Sequence, residues 1–143
     1  MAIPTEPIGS VPRPPQLLQA LASFQVGKSA REALEGAYSE ALRDTIDRLE
    51  QTGSPVLTDG EQTKPSFATY PLTGLQNLAP GGVVIPFADG HQRQLPQLTA
   101  GPFRYGVHAG SYTKAARAYT QRPVKQAVIS ASALSLLDRK SVV

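Results

Sequence analysis

Cysteine is absent from this 143-residue chain. That removes disulfides and thiolate metal ligands together, and it fits a cytoplasmic protein. Histidine is nearly absent: His91 and His108 are the only two. Neither has a second metal-type residue at ligand spacing, so both read as surface or packing side chains, and no metal site is expected within the chain. Long hydrophobic runs are missing too. Nothing approaches the ~20 apolar residues that span a bilayer, no signal peptide precedes the proline-rich start, and no membrane partner is expected. Charge of one sign does not dominate, with 14 basic against 11 acidic residues and a net charge of +3. The lysines and arginines are scattered rather than striped, so nucleic acid is not an expected partner. The glycine fingerprints of nucleotide sites are lacking as well: there is no G-x-G-x-x-G after the first expected strand and no P-loop.

What is present suits a globular domain. Hydrophobic residues make up 41% of the chain, enough for a core, and the length is that of one ordinary domain. The last six residues, Asp138-Arg-Lys-Ser-Val-Val143, follow an apolar stretch abruptly. Back-translated, they match the opening of a common sequencing adapter. The native domain is therefore expected over residues 1–137, with 138–143 a non-native tail. Setting the tail aside removes Arg139 and Lys140 but only Asp138, and with them part of the apparent basicity.

The stretch Val56-Leu-Thr-Asp-Gly-Glu-Gln-Thr-Lys-Pro65 organises the rest. Val56, Leu57 and Thr58 form a short apolar run of the kind that suits a buried parallel strand. It breaks into Asp59-Gly60-Glu61, two carboxylates around a glycine. Ligands of α/β folds bind where strands end at their carboxyl edge, so these carboxylates are a candidate site. A loop in which they merely meet solvent is the other reading. Upstream, Pro4 and Pro7 leave room only for a short strand over residues 3–10. Ile8-Gly9-Ser10 then makes a tight turn whose glycine admits a close backbone approach and whose hydroxyl and N–H groups can hold a carboxylate. A plain turn is the alternative.

Pro14 and Pro15 open a helix with Leu17, Leu18, Leu21, Ala22 and Phe24 on its apolar side, and Gly27 ends it. Ser29 and Glu32 form a capping-box pattern for a second helix over Ala30 to Thr52. Its stripe is Leu34, Tyr38, Leu42, Ile46 and Leu49, and Gly53 and Pro55 stop it. Residues 62–110 form a long excursion containing six prolines and seven glycines. Within it Val83–Phe87 and Arg93–Leu95 are expected to pair as a hairpin across the Asp-Gly turn signal Ala88-Asp-Gly-His91. Such a long excursion often serves as a lid or binding loop. Ser111 is expected to cap a third helix through Tyr119, and Pro123 to stop it. Val124–Ser130 reads as another strand, with Ala131-Ser132-Ala133 beginning the loop at its carboxyl end. Strand, helices, strand, excursion, helix, strand implies a parallel sheet.

Ile8-Gly9-Ser10-Val-Pro12, Asp59-Gly60-Glu61 and Pro123-Val124-Lys125, in that order and spacing, resemble the catalytic barrel of cobalamin-independent methionine synthase. The resemblance runs from about Ile3 to Leu137 and is nearest to short, single-domain relatives, in a superfamily that also contains uroporphyrinogen decarboxylase. It implies an α/β chain forming part of a (β/α)8 TIM barrel: about strands one to three, with the excursion after the second. It further implies that a longer parent transfers a methyl group from methyl-folate to homocysteine in methionine biosynthesis, with zinc activating the thiol. By the same resemblance Ile8, Gly9 and Ser10 hold the substrate carboxylate and Glu61 its ammonium, with Asp59 and Lys64 as further contacts of the substrate loop.

Two departures follow. Gln62-Thr63-Lys64-Pro65-Ser66 stands where the family has Pro-Glu-Arg and an acidic residue. The family's zinc ligands, His, Cys, Glu and Cys from later strands, lie outside this chain, which by itself is expected to be inactive. The alternatives are a non-zinc, uroporphyrinogen-decarboxylase-like enzyme, using arginines such as Arg13, Arg93 and Arg104 on a polycarboxylate, or a non-catalytic amino-acid-binding barrel.

Overall fold

The computed structural model describes residues 5–101 and 103–137, which form two compact units. The tail at 138–143, and Ile3 and Pro4 of the first expected strand, lie outside these residues. The first unit takes in residues up to Pro65 and Ala109–Ala127; the second takes in Ser66–His108 and the residues from Val128.

In the first unit α1 (Pro15–Gln25) starts from an extended Pro14, because proline lacks the donor that a first turn leaves unused. Leu17 is buried against Leu34 and Ala41, with Leu21, Phe24 and Tyr38 packed around them. Leu18 points to solvent instead of joining the apolar side. Gly27, at φ +68°, ends the segment. α2 (Arg31–Gln51) buries Leu34, Leu42 and Ile46 as the stripe predicts, and adds Ala41 and Thr45. Its N-cap is Ala30, with no side-chain cap. The capping box therefore does not form: Ser29 stands one residue too early to reach the free N–H groups, and its hydroxyl is buried without a partner. At the other end Gly53, at φ +76°, returns its N–H to Glu50 O at 3.0 Å.

β1 (Leu57–Thr58) pairs in parallel with β6 (Val124–Lys125), Leu57 opposite Val124. Leu57 closes a cluster with Leu42, Ile46 and Ala116, against which Leu49 and Val124 pack. The parallel relation is as expected, but the strands are far shorter. The ladder of β6 stops at Lys125, and Val128 is 60% exposed. No strand appears in residues 5–10. α3 (Ala109–Ala116) begins before Ser111, which lies inside the helix and does not cap it.

In the second unit the predicted hairpin forms: β3 (Val84–Pro86) and β4 (Gln92–Gln94) run antiparallel, Ile85 opposite Arg93. Phe87 donates its N–H to His91 O at 3.0 Å, and Gly90 takes φ +87° in the turn. His91 stacks on Phe87 and His108 on Tyr105, both on the surface. A second antiparallel pair, β2 (Leu78–Ala79) with β5 (Gln97–Leu98), was not foreseen. The core is Leu72, Leu95 and Leu137. Residues 131–133 are helical, not loop: α4 (Ala131–Ser135) is capped by Ser130 Oγ, which accepts the Ala133 N–H at 3.2 Å.

The α/β class holds. Among the described residues the strands make three two-stranded sheets, one of them parallel, and no closed barrel. No helix among them is long and apolar enough to cross a membrane.

Two stability predictions follow from these cores. Leu42 is 3% exposed in the α2–β1 cluster. Leu42→Asp should lower the unfolding free energy by about 4 kcal/mol, because the charge has no partner there. A urea midpoint equal to the parent's would show Leu42 facing water. In the second unit, burial and then the nearby Tyr105 push the Tyr70 phenol above its ordinary 10.0. Folding thus favours the protonated phenol. Its contribution is full below pH 10 and is lost as pH rises from there through the raised folded value. Tyr70→Phe should flatten that alkaline loss in a series of urea titrations; an unchanged slope would contradict the assignment.

Candidate functional site

Where β1 ends, the chain turns into the core rather than into water. Asp59 is 1% exposed and Glu61 9%, so neither carboxylate belongs to a solvated loop. Asp59 Oδ1 accepts the Glu61 N–H at 3.0 Å and the Thr58 hydroxyl at 3.4 Å, while Oδ2 is buried with no partner. Gly60 takes φ +63°, and a Cβ there would meet Val11 Cγ2 at 2.7 Å and Thr45 Cγ2 at 2.8 Å. Only glycine fits. Glu61 follows at φ +55°, the sole non-glycine with positive φ among the described residues. The left-handed region costs an L-residue roughly 1–2 kcal/mol, so the surrounding contacts must hold Glu61 there.

Its carboxylate ends beside Gly9. A Cβ on Gly9 would stand 3.2 Å from Glu61 Oε1 and 3.5 Å from Ala127 Cβ, so the missing side chain lets the carboxylate approach the backbone. No side-chain hydrogen bond to that carboxylate occurs among the described residues. The Ile8-Gly9-Ser10 turn is carried to this point by neighbouring contacts. Val11 donates its N–H to Gly60 O at 3.0 Å, and the Thr58 hydroxyl donates to Gly9 O at 3.5 Å. Ser10 is exposed, and the Ile8 side chain, 94% exposed, is turned away to solvent. Gly9, Ser10, Asp59 and Glu61 are thus brought together, while Ile8 can offer only its backbone.

Lys64 is 1% exposed. Its Nζ donates to Gln126 Oε1 at 2.6 Å and Ala127 O at 3.2 Å, and lies 5.3 Å from the centre of the Tyr112 ring. The residues just past β6 therefore meet those just past β1, as the carboxyl ends of adjacent parallel strands should. Gln126, Ala127 and Tyr112 carry no sequence motif that could have singled them out. Arg13 was foreseen only as a ligand for a polycarboxylate. Instead it donates to three backbone carbonyls, Gln62 O at 3.3 Å, Glu61 O at 3.2 Å and Lys64 O at 2.6 Å. Arg93 and Arg104 are exposed residues of the second unit.

A groove of about 610 Å³ is lined by residues 11–16 together with Asp44, Thr45, Arg48 and Leu49, and the Arg48–Asp44 ion pair at 2.9 Å lies on its α2 side. It includes none of Ser10, Asp59, Glu61 and Lys64. The carboxylate beside Gly9, not this groove, carries the recognisable chemistry. The chain has no cysteine, and no group of three or more metal-type side chains gathers among the described residues. The residues present do not fit a zinc centre.

No family profile matches the chain. It is 30% identical over 103 residues to a methionine synthase of Sulfolobus acidocaldarius, covering 72% of this chain and 30% of that protein. A methionine synthase of Sulfurisphaera tokodaii is 34% identical over 68 residues, 48% of this chain and 20% of the relative. The chain thus spans less than a third of the curated relatives it matches. Among solved structures, a B12-independent methionine synthase from Shewanella sp. W3-18-1, in complex with selenomethionine, aligns at a TM-score of 0.69 and 20% identity. That alignment covers 94% of this chain and 40% of the other, and defines the fold class. Sequence and fold point the same way: this chain is similar to part of two curated methionine synthases and shares the fold of a B12-independent one.

The turn at Gly60 gives a test of the site's construction. Gly60→Ala should cost about 2 kcal/mol or more, from the left-handed backbone and the overlap with Val11 and Thr45. Unfolding midpoints within error of the parent would contradict that geometry.

Proposed function

We propose that this chain supplies the amino-acid-holding part of a methionine-synthase-like methyltransferase. The observation that carries the reading is the Glu61 carboxylate, buried at a strand end, set against the bare backbone of Gly9 and free of side-chain hydrogen bonds among the described residues. A homocysteine-like substrate is a zwitterion at its amino-acid end. Glu61 accepts its ammonium, a charge-assisted hydrogen bond between opposite charges. The Ser10 hydroxyl and the backbone donors of the Ile8-Gly9-Ser10 turn take its carboxylate. Asp59 keeps Glu61 oriented through the Glu61 N–H, and Lys64 closes the site on the β6 side.

Held at this end, the substrate presents its thiol away from the chain's own residues, and none of these side chains activates it. When bound in the family, zinc supplies thiolate formation at neutral pH. No step in this chain runs through that metal, because its residues do not fit one. Methyl-folate as donor belongs to the same proposal for the longer parent. A polycarboxylate enzyme is disfavoured by Arg13, whose guanidinium is committed to backbone carbonyls.

The test is Glu61→Gln in the full-length protein that carries this chain. The change keeps the shape and removes the charge, so homocysteine affinity measured by calorimetry should fall by ~1.5–3 kcal/mol. An unchanged affinity would remove Glu61 from the site.

A further inference from the structure

Glu61 is held in a backbone conformation that it would not adopt unaided; Asp59 closes the turn locally, and one distant side chain grips its carbonyl. Arg13 donates through Nη2 to Glu61 O at 3.2 Å and Lys64 O at 2.6 Å, and through Nε to Gln62 O at 3.3 Å. Three carbonyls of one tight loop therefore converge on a single guanidinium. Its rigid, planar set of donors can span them, whereas an ammonium on a flexible stem cannot hold all three in fixed geometry. The same two segments are joined twice more, by Val11 N–H to Gly60 O at 3.0 Å and by Gln62 Nε2 to Val11 O at 3.3 Å. Arg13 also lies on the segment that begins with Ile8-Gly9-Ser10. It thus ties the turn that would hold the substrate carboxylate to the turn that would hold its ammonium.

We propose that Arg13 is a positioning residue: it latches the Glu61–Lys64 loop and so fixes the Glu61 carboxylate against Gly9, setting selectivity for the amino-acid end of the substrate. This rests on the amino-acid-holding reading of the site. Arg13 itself does not touch the substrate. With the latch gone, the Glu61 carbonyl loses its donor, and the left-handed step rests on the longer Gln62 N–H to Asp59 O bond at 3.3 Å and the Asp59 Oδ1 grip on the Glu61 N–H. The carboxylate then leaves Gly9, and the spacing between the two ends of the zwitterion is lost.

The experiment uses the full-length protein carrying this chain, with homocysteine as the probe, and compares R13A, R13K, E61Q and the double variant R13A/E61Q. R13A should weaken homocysteine at least about tenfold, the scale of a misdirected charge-assisted hydrogen bond. R13K should recover little of that, and added guanidinium ion should recover part of it in R13A. In the E61Q background, loss of Arg13 should cost far less, because the charge it positions is already absent. Crystals of R13A should show Glu61 at negative φ. An equal loss in both backgrounds would mean that Arg13 only supports the fold, and would overturn the proposal. So would unaltered affinity in R13A, or a Glu61 that keeps positive φ without Arg13. If E61Q leaves homocysteine affinity unchanged, the amino-acid reading falls, and φ at Glu61 in R13A still decides the latch. Should R13A fail to fold, R13K carries the same comparisons.

Discussion

A left-handed step at Gly60 and Glu61, taken directly off the end of a two-residue strand, governs how this chain presents its chemistry. An ordinary backbone at those positions would carry the Glu61 side chain away from Gly9. The step is possible because Gly60 has no Cβ to strike Val11 and Thr45. It persists because Asp59 holds the Glu61 N–H while Arg13 holds the carbonyls on the far side. Strain kept in place by several independent contacts is typical of sites where a side chain must be presented in one direction. The burial of Asp59, Glu61, Gln62 and Lys64 in one short loop follows from the same geometry.

The core beneath the site supplies the rigidity. Leu57 of β1 is fully buried among Leu42, Ile46 and Ala116, so the strand end is anchored by helices on the side away from the loop. Parallel pairing with β6 brings Gln126 and Ala127 alongside, where they receive the Lys64 ammonium. The site is thus assembled from three segments far apart in sequence, each fixed by its own short-range structure. A binding site with groups pre-set in this way loses less to ordering when the ligand arrives.

Features carried by local chemistry were legible in the sequence. The α2 stripe at three- and four-residue steps, the Gly53 stop and the Asp-Gly hairpin all form where residue pattern puts them. The parallel relation of the strands at Leu57 and Val124 was legible from element order. Ser29 misled because a capping pattern reads the same one residue out of register, and tertiary packing rather than the hydroxyl set where α2 begins. The β2–β5 pair escaped because two-residue strands such as Leu78–Ala79 have no room for alternation. Val124–Ser130 read as one strand on composition, yet pairing stops at Lys125 and Ser130 instead caps a helix. In the site, Gly9, Ser10, Asp59 and Glu61 were nameable as candidates. The burial of Asp59, the left-handed Glu61 and the role of Arg13 were not, since each depends on contacts between residues about fifty positions apart.

The central claim is that the amino-acid end of the substrate lies between the Ile8-Gly9-Ser10 turn and Glu61. Its most direct test is a crystal structure of the full-length protein with selenomethionine bound, the selenium located by anomalous scattering. The account predicts the ligand's ammonium within about 2.7–3.2 Å of the Glu61 carboxylate and its carboxylate at Ser10 and the turn's N–H groups. A ligand seated elsewhere, for instance in the groove between Arg13 and Arg48, with Glu61 making no contact to it, would contradict the account.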